Sequence, residues 1–308
     1  MKRNKKLSKS MKFLIALPLC SSIAYAFWAF FIAESISFYG SNYASTLLIV
    51  FIVSSVIALL VGILNSSKIR RLPKKWDVLT GILYAIGNIA LFSVVNSKSL
   101  LVVYAISYLS VLLFLFDGKN LHALASSAKR FVGILVAVLV LLGSVIYLYI
   151  SFNASSPSLV NIFSVAMGLV AALFYAIGGM LSVRVSYERE SIPSKWMWIS
   201  VIEALVTLVA VFAYGFKVTP QSLGVSAIAG VLIAIPFSFG FLSYSYTKYL
   251  RGIKKVIDKE IIYSIPELDI VWLAILYGTF ISALQPGDIV AIAALVLGVI
   301  YLYTLKAK

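Results

Sequence analysis

Ten apolar runs dominate the chain, at roughly residues 13–33, 43–65, 78–97, 99–116, 131–151, 159–183, 197–216, 222–247, 261–284 and 288–305. At 1.5 Å per residue each can cross ~30 Å of hydrocarbon as a helix, the fourth with little to spare. Strands of a membrane barrel would be about ten residues long with alternating polarity, so the pattern predicts helices. The fold class expected is an all-α membrane protein with ten transmembrane helices.

The segments between the runs are short and basic. Of 26 Lys and Arg, all but Lys98 and Lys217 fall in the N-terminal tail, after runs two, four, six and eight, or at the C-terminus. Cytoplasmic loops carry such an excess, so ten spans with both termini cytoplasmic is the simple topology that satisfies it. Basic residues followed by an apolar run and Ala24-Tyr25-Ala26 also resemble a cleavable signal peptide. Cleavage would leave nine spans and spoil the symmetry described next, so the first run is read as a span.

Composition sharpens the picture. The 308 residues are 62% hydrophobic, with a mean hydropathy of +1.02, against ~45–50% apolar in a soluble domain. A net charge of +15 would fit nucleic acid in another chain. Here the charges sit where topology signals sit, so no nucleic-acid partner is expected. One cysteine, Cys20, and one histidine, His122, leave no disulfide and no zinc or haem cluster, and no cofactor or metal is expected. Asn153-Ala154-Ser155 fits a glycosylation triplet, a pattern too common by chance to carry weight.

The two halves resemble each other. Run five ends Val145-Ile146-Tyr147-Leu148-Tyr149 and run ten ends Val299-Ile300-Tyr301-Leu302-Tyr303, the same string 154 residues on. Tyr25-Ala26 pairs with Tyr175-Ala176, Gly81 and Ala85 with Gly230 and Ala234, and Tyr104-Ala105-Ile106 with Tyr263-Ser264-Ile265. The division predicted is residues 1–152, a five-helix repeat with its basic tail, and 153–308, a second repeat. An odd number of spans per unit inverts the second copy, the design by which many secondary transporters build alternating gates. Gly81/Ala85 and Gly230/Ala234 are small-xxx-small pairs that let helices approach closely.

In the last fifth, Pro266, the stretch Trp272–Gly278, Gly287 and the closing Leu297–Leu302 resemble the ninth-to-tenth span signature of the drug/metabolite transporter superfamily, in its ten-span EamA-like branch. The short, basic-flanked layout extends the resemblance over the whole chain. One position departs from it: the acidic residue usual after the glycine that ends span nine is Thr279 here. The resemblance implies a central cavity lined by spans 1, 3, 4, 6, 8 and 9, with spans 5 and 10 away from it. It also implies alternating access and, in many members, export of amino acids and other small metabolites.

No Lys, Arg or His lies inside a run, but Glu203, Glu267 and Asp269 do. Glu267 and Glu203 stand ~12 Å and Asp269 ~15 Å from the nearest basic residue at the membrane edge, counted at 1.5 Å per residue. An acid at that depth is a functional candidate by default. Each must be protonated, hydrated in a cavity, or paired with something that arrives from outside. A titrating acid would couple transport to protons, an ionised one would bind a substrate amine, and a neutral one would be structural. Pro266, which breaks the helix, makes Glu267 the leading candidate. Asp269, two residues on, faces the opposite side unless the helix unwinds there. Glu203 is expected to be structural, because the resemblance sets span seven outside the cavity.

Further substrate-binding candidates are Tyr25 and Trp28 in span one, Tyr84 and Asn88 in span three, Tyr104 and Tyr108 in span four, Tyr175 in span six and Tyr244 in span eight. Tyr84 and Asn88 share a helix face, and a buried Asn must bond another helix or a ligand. For any one tyrosine ordinary packing competes, and Trp76, Trp196 and Trp198 are expected in an interfacial belt.

The reading is a non-enzymatic secondary transporter of the cell (cytoplasmic) membrane. Its partners are the lipid bilayer, a small substrate and, for a coupled mechanism, protons; a homodimer stays open. Acids without bases in the core favour neutral or cationic substrates such as amino acids, polyamines, amphipathic cations or sugars over strong anions. A membrane enzyme using two acids, or a scaffold protein, are the alternatives. The chain has no phosphate-cradling glycine loop or nucleophile constellation to support the first.

Overall fold

The computed structural model describes residues 2–64, 72–96, 98–115, 127–155, 160–186, 192–249 and 268–306. The described residues form helices and no strand. Runs one to three are α1 (Lys2–Ser37), α2 (Tyr43–Leu64) and α3 (Lys75–Ser93). Run four is two short helices, α4 (Leu100–Ser107) and α5 (Ser110–Leu115). Runs five to ten are α6 (Ala128–Ser155), α7 (Ile162–Ser186), α8 (Ile192–Tyr214), α9 (Pro220–Tyr249), α10 (Asp269–Phe280) and α11 (Pro286–Lys306).

Local chemistry sets the helix ends. Asn42 caps α2 by accepting from the Ser45 amide at 2.7 Å, and Asn161 and Thr219 do the same for the amides of Ser164 and Ser222. α1 and α8 stop near Gly40 and Gly215, whose positive φ (70° and 78°) only glycine adopts without strain. The two stops lie together. Asn42 Nδ2 donates to Gly215 O at 2.6 Å, and the Lys217 amide donates to Ser45 Oγ at 2.9 Å. Beneath them a buried hydroxyl knot joins Ser35, Ser41, Thr46 and Ser226 with spacings of 2.6–3.2 Å.

Among the described residues six helices are long and apolar enough to cross a membrane: those within α1, α2, α3, α6, α7 and α8. The described parts of the other four runs are shorter apolar helices. The burial pattern is that of a lipid-facing protein. Ser35, Thr46, Ser54, Thr80, Glu203 and Thr207 are buried while Leu64, Ile162 and Phe212 lie more than 80% exposed.

Three expectations need correction. The fourth run is not one regular helix: it turns at Tyr108–Leu109, where the Leu109 amide donates to the Ile106 carbonyl and the Tyr108 amide is shared between the Tyr104 and Ala105 carbonyls. The ninth ends at Phe280 rather than 284, capped at Ile281. Trp196 is not a belt residue; it is 1% exposed and donates Nε1 to Ser54 Oγ at 3.1 Å. A buried indole N–H must find an acceptor, and the serine on α2 supplies it. Trp76 is 36% exposed, with Lys75 Nζ 5.0 Å over its ring.

Packing follows a pattern of pairs. α1 packs on α9 and α10, α2 on α8 and α9, α3 on α7 and α8, α4 on α7, and α6 on α11. The closest approaches are at glycines. A methyl on Gly81 would stand 2.8 Å from Ile202 Cβ and 2.9 Å from Ile199 O; one on Gly230 would stand 2.7 Å from both Val53 Cβ and Val50 O. Adding 149 to Gly81, Val50 and Val53 lands on Gly230, Ile199 and Ile202. Between α3 and α7 the string Tyr-Ala-Ile-Gly occurs on both sides, at 84–87 and 175–178. Each tyrosine ring lies over the other's glycine, where a methyl would be 2.8 Å away. Asn153, in the glycosylation triplet, is engaged in closing its own loop, bonded both ways to the Val160 backbone at 2.9 and 3.0 Å.

Candidate functional site

The crossing of these helices frames a partly open cavity of about 250 Å³. Tyr25 and Trp28 of α1, Phe51 of α2, Tyr84 and Asn88 of α3, and Tyr104 and Ser107 of α4 form part of its wall. Tyr108 and Ser110 at the break, Tyr175 and Gly179 of α7, Glu203 of α8, Ile233 of α9 and Asp269 of α10 complete it. No lining residue comes from α6 or α11.

Two polar constructions stand in this aromatic wall. In the first, Tyr175 lies in the groove that Gly87 leaves open and donates its hydroxyl to Asn88 Oδ1 at 2.7 Å. Asn88 Nδ2, so oriented, donates to Glu203 Oε1 at 3.4 Å. Glu203 is 1% exposed and its other oxygen, Oε2, has no protein partner. In the second, Asp269 occupies the first turn of α10, where the helix dipole favours an anion. Tyr104 donates to Asp269 Oδ2 at 2.9 Å, and Oδ1 is unpartnered. A third orphan is a donor, Trp28 Nε1, on an indole held edge-on to Phe92 at 5.4 Å and to Tyr25 at 6.3 Å. Buried polar groups are ordinarily paired; these three unpartnered atoms sit on residues that line the cavity, and others, Thr80 Oγ1 and Asp288 Oδ1, sit away from it.

Eight of the nominated residues, Tyr25, Trp28, Tyr84, Asn88, Tyr104, Tyr108, Tyr175 and Asp269, meet at this cavity. Pro266 and Glu267 lie outside the described residues; Tyr244 is on α9, with its side chain outside them. The place expected for span seven is corrected: α8 packs against α3 and brings Glu203, one of two acids there, to the cavity wall. Phe51 brings span two in as well. Ser107 and Ser110 were not nominated, and the signal for them was the short fourth run. The repeated Tyr-Ala-Ile-Gly string was equally visible and would have paired Tyr84 with Tyr175. Among the described residues no group of three His, Cys, Asp or Glu could hold a metal.

Removing the Tyr104 hydroxyl tests the second construction. Tyr104→Phe keeps the ring and its 5.7 Å packing on Tyr108 and deletes the one side-chain donor to Asp269. The expected loss is ~0.6–2 kcal/mol, the range of interhelical hydrogen bonds in membranes, read as a fall in unfolding temperature.

The helices, the inverted burial pattern and the polar cavity define an all-helical, multi-pass membrane protein with an interior cavity lined by aromatic rings and two acids. No protein-family model matches this chain, and no curated protein matches its sequence.

Proposed function

We propose that this protein is a secondary transporter that moves a small amino-bearing metabolite across the membrane by alternating access. The observation that carries the reading is the cavity: two buried carboxylates, each with an unpartnered oxygen, in an aromatic wall with no basic side chain among the lining residues. Such a site attracts a cation or an ammonium group and repels anions.

In this reading ten spans form two inverted five-helix repeats with both termini cytoplasmic, as in the drug/metabolite transporter superfamily. Packing supports the repeat. Exchanging each run for the one five places on turns the α1–α9 contact into α7–α3, α2–α9 into α8–α3, and α1–α10 into α7–α4. The α2–α8 and α6–α11 contacts map onto themselves. The last is reciprocal in detail. Tyr301 Oη would stand 2.6 Å from a methyl on Gly133, and Tyr147 crowds the equivalent position at Gly287, 154 residues on. The broken fourth run is a further support, because transporters place discontinuous helices at their substrate sites.

Flux into proteoliposomes tests the function. With radiolabelled amines and amino acids, saturable entry above that of protein-free vesicles is expected. It should slow when the substrate side is acidified, because a protonated carboxylate no longer attracts a cation. Absence of protein-dependent flux for every compound, with insertion verified, would sink the reading.

A further inference from the structure

The two acids are not a dyad sharing one proton. They come from different helices, no hydrogen bond joins them, and each has its own donor: Asn88 for Glu203 and Tyr104 for Asp269. Each keeps one oxygen unpartnered, on a residue at least nine-tenths buried. Both residues line the cavity, and the terminal torsions of Asp and Glu are soft, so neither carboxyl is locked in orientation. Two separate acids, with no basic side chain among the lining residues, fit two cationic groups, each of which would favour the ionised form of the acid it meets. A ligand with one cation would leave the second acid protonated, without the partner that favours its ionised form. The wall between is aromatic, with Tyr25, Trp28, Tyr104 and Tyr175, suited to an aliphatic spacer and to ammonium groups near ring faces. At about 250 Å³ the space lies below the ~300–1,000 Å³ of drug-sized pockets.

We propose that the cavity takes a compact molecule with two amino groups on a short aliphatic spacer, a diamine or a diamino acid, one ammonium at Glu203 and the other at Asp269. The inference rests on the substrate site of the transporter reading and narrows it. Trp28 Nε1 tells the two sources apart. Its orphan N–H calls for an acceptor, which a diamino acid brings in its carboxylate and a simple diamine lacks.

The experiment is calorimetric titration of the purified full chain with 1,5-diaminopentane, 1-aminopentane, lysine and norleucine at neutral pH. At least one two-amine compound should bind ten-fold or more tighter than its one-amine analogue. Glu203→Gln and Asp269→Asn should each erase that preference. Trp28→Phe should weaken lysine and spare 1,5-diaminopentane if the substrate is a diamino acid, and leave both unchanged if it is a diamine. Equal binding of one- and two-amine compounds by the unsubstituted protein overturns the proposal and leaves a one-cation transporter standing. No binding by any amine overturns both. The unsubstituted comparison decides the matter even if a variant fails to fold.

Discussion

Glu203→Gln should cut substrate flux at least ~30-fold while the purified protein unfolds at the same or a higher temperature. Gln keeps the shape and the acceptor that Asn88 Nδ2 reaches at 3.4 Å, so the Tyr175–Asn88 relay survives. What disappears is a charge, and removing one partner of a buried charge pair costs ~2–5 kcal/mol, of which 2 kcal/mol is already ~30-fold. Stability moves the other way because a buried carboxylate with an unpartnered oxygen is a cost to the fold when no ligand is bound. Flux in proteoliposomes and thermal unfolding of the same preparation measure the two signs. A variant that loses stability and keeps its flux would make Glu203 a structural residue and remove the seventh span from the site.

Gly81→Ala and Gly230→Ala should each destabilise by ~1–3 kcal/mol, the usual cost of overpacking. The added methyl meets backbone oxygens, Ile199 O at 2.9 Å and Val50 O at 2.7 Å, rather than the tip of a flexible side chain. The helices must therefore part. α3 carries Asn88 and α8 carries Glu203, so parting them at Gly81 also lengthens a contact that is already 3.4 Å. Gly143→Ala is the control. Nothing lies within 4 Å of a methyl there, and helix-interior Gly→Ala ordinarily gains ~0.5–1 kcal/mol. Thermal unfolding of the three variants side by side gives the answer. If Gly81→Ala behaves like Gly143→Ala, α3 and α8 do not approach as described.

Much of the site was legible in the chain, because the membrane makes polar residues conspicuous. Glu203, Asp269, Asn88 and the tyrosines stand out against apolar runs, and their depth follows from a count along a helix. Gly81 and Gly230 were visible as matched small residues, and the structure shows what each admits: the backbone of α8 and of α2. Other features were misjudged for one reason. Glu203 was set aside on where the seventh span ought to lie, and Trp196 was assigned to a belt on its place near a run's end. Both depend on which neighbour a helix meets, α3 for one and α2 for the other.

The sequence by itself determined that the chain is helical, membrane-spanning and acidic at its core, since run length, loop charge and the cost of burying carboxylates are local or additive quantities. Only the tertiary structure decided that an acid from α8 and an acid from α10 share one cavity, and that the fourth run breaks beside them. In a soluble helix the apolar stripe tells which side faces in. In these runs both faces are largely apolar and the buried one carries only a few polar groups, so the rotation of each helix is set chiefly by close packing at residues such as Gly81 and Gly87.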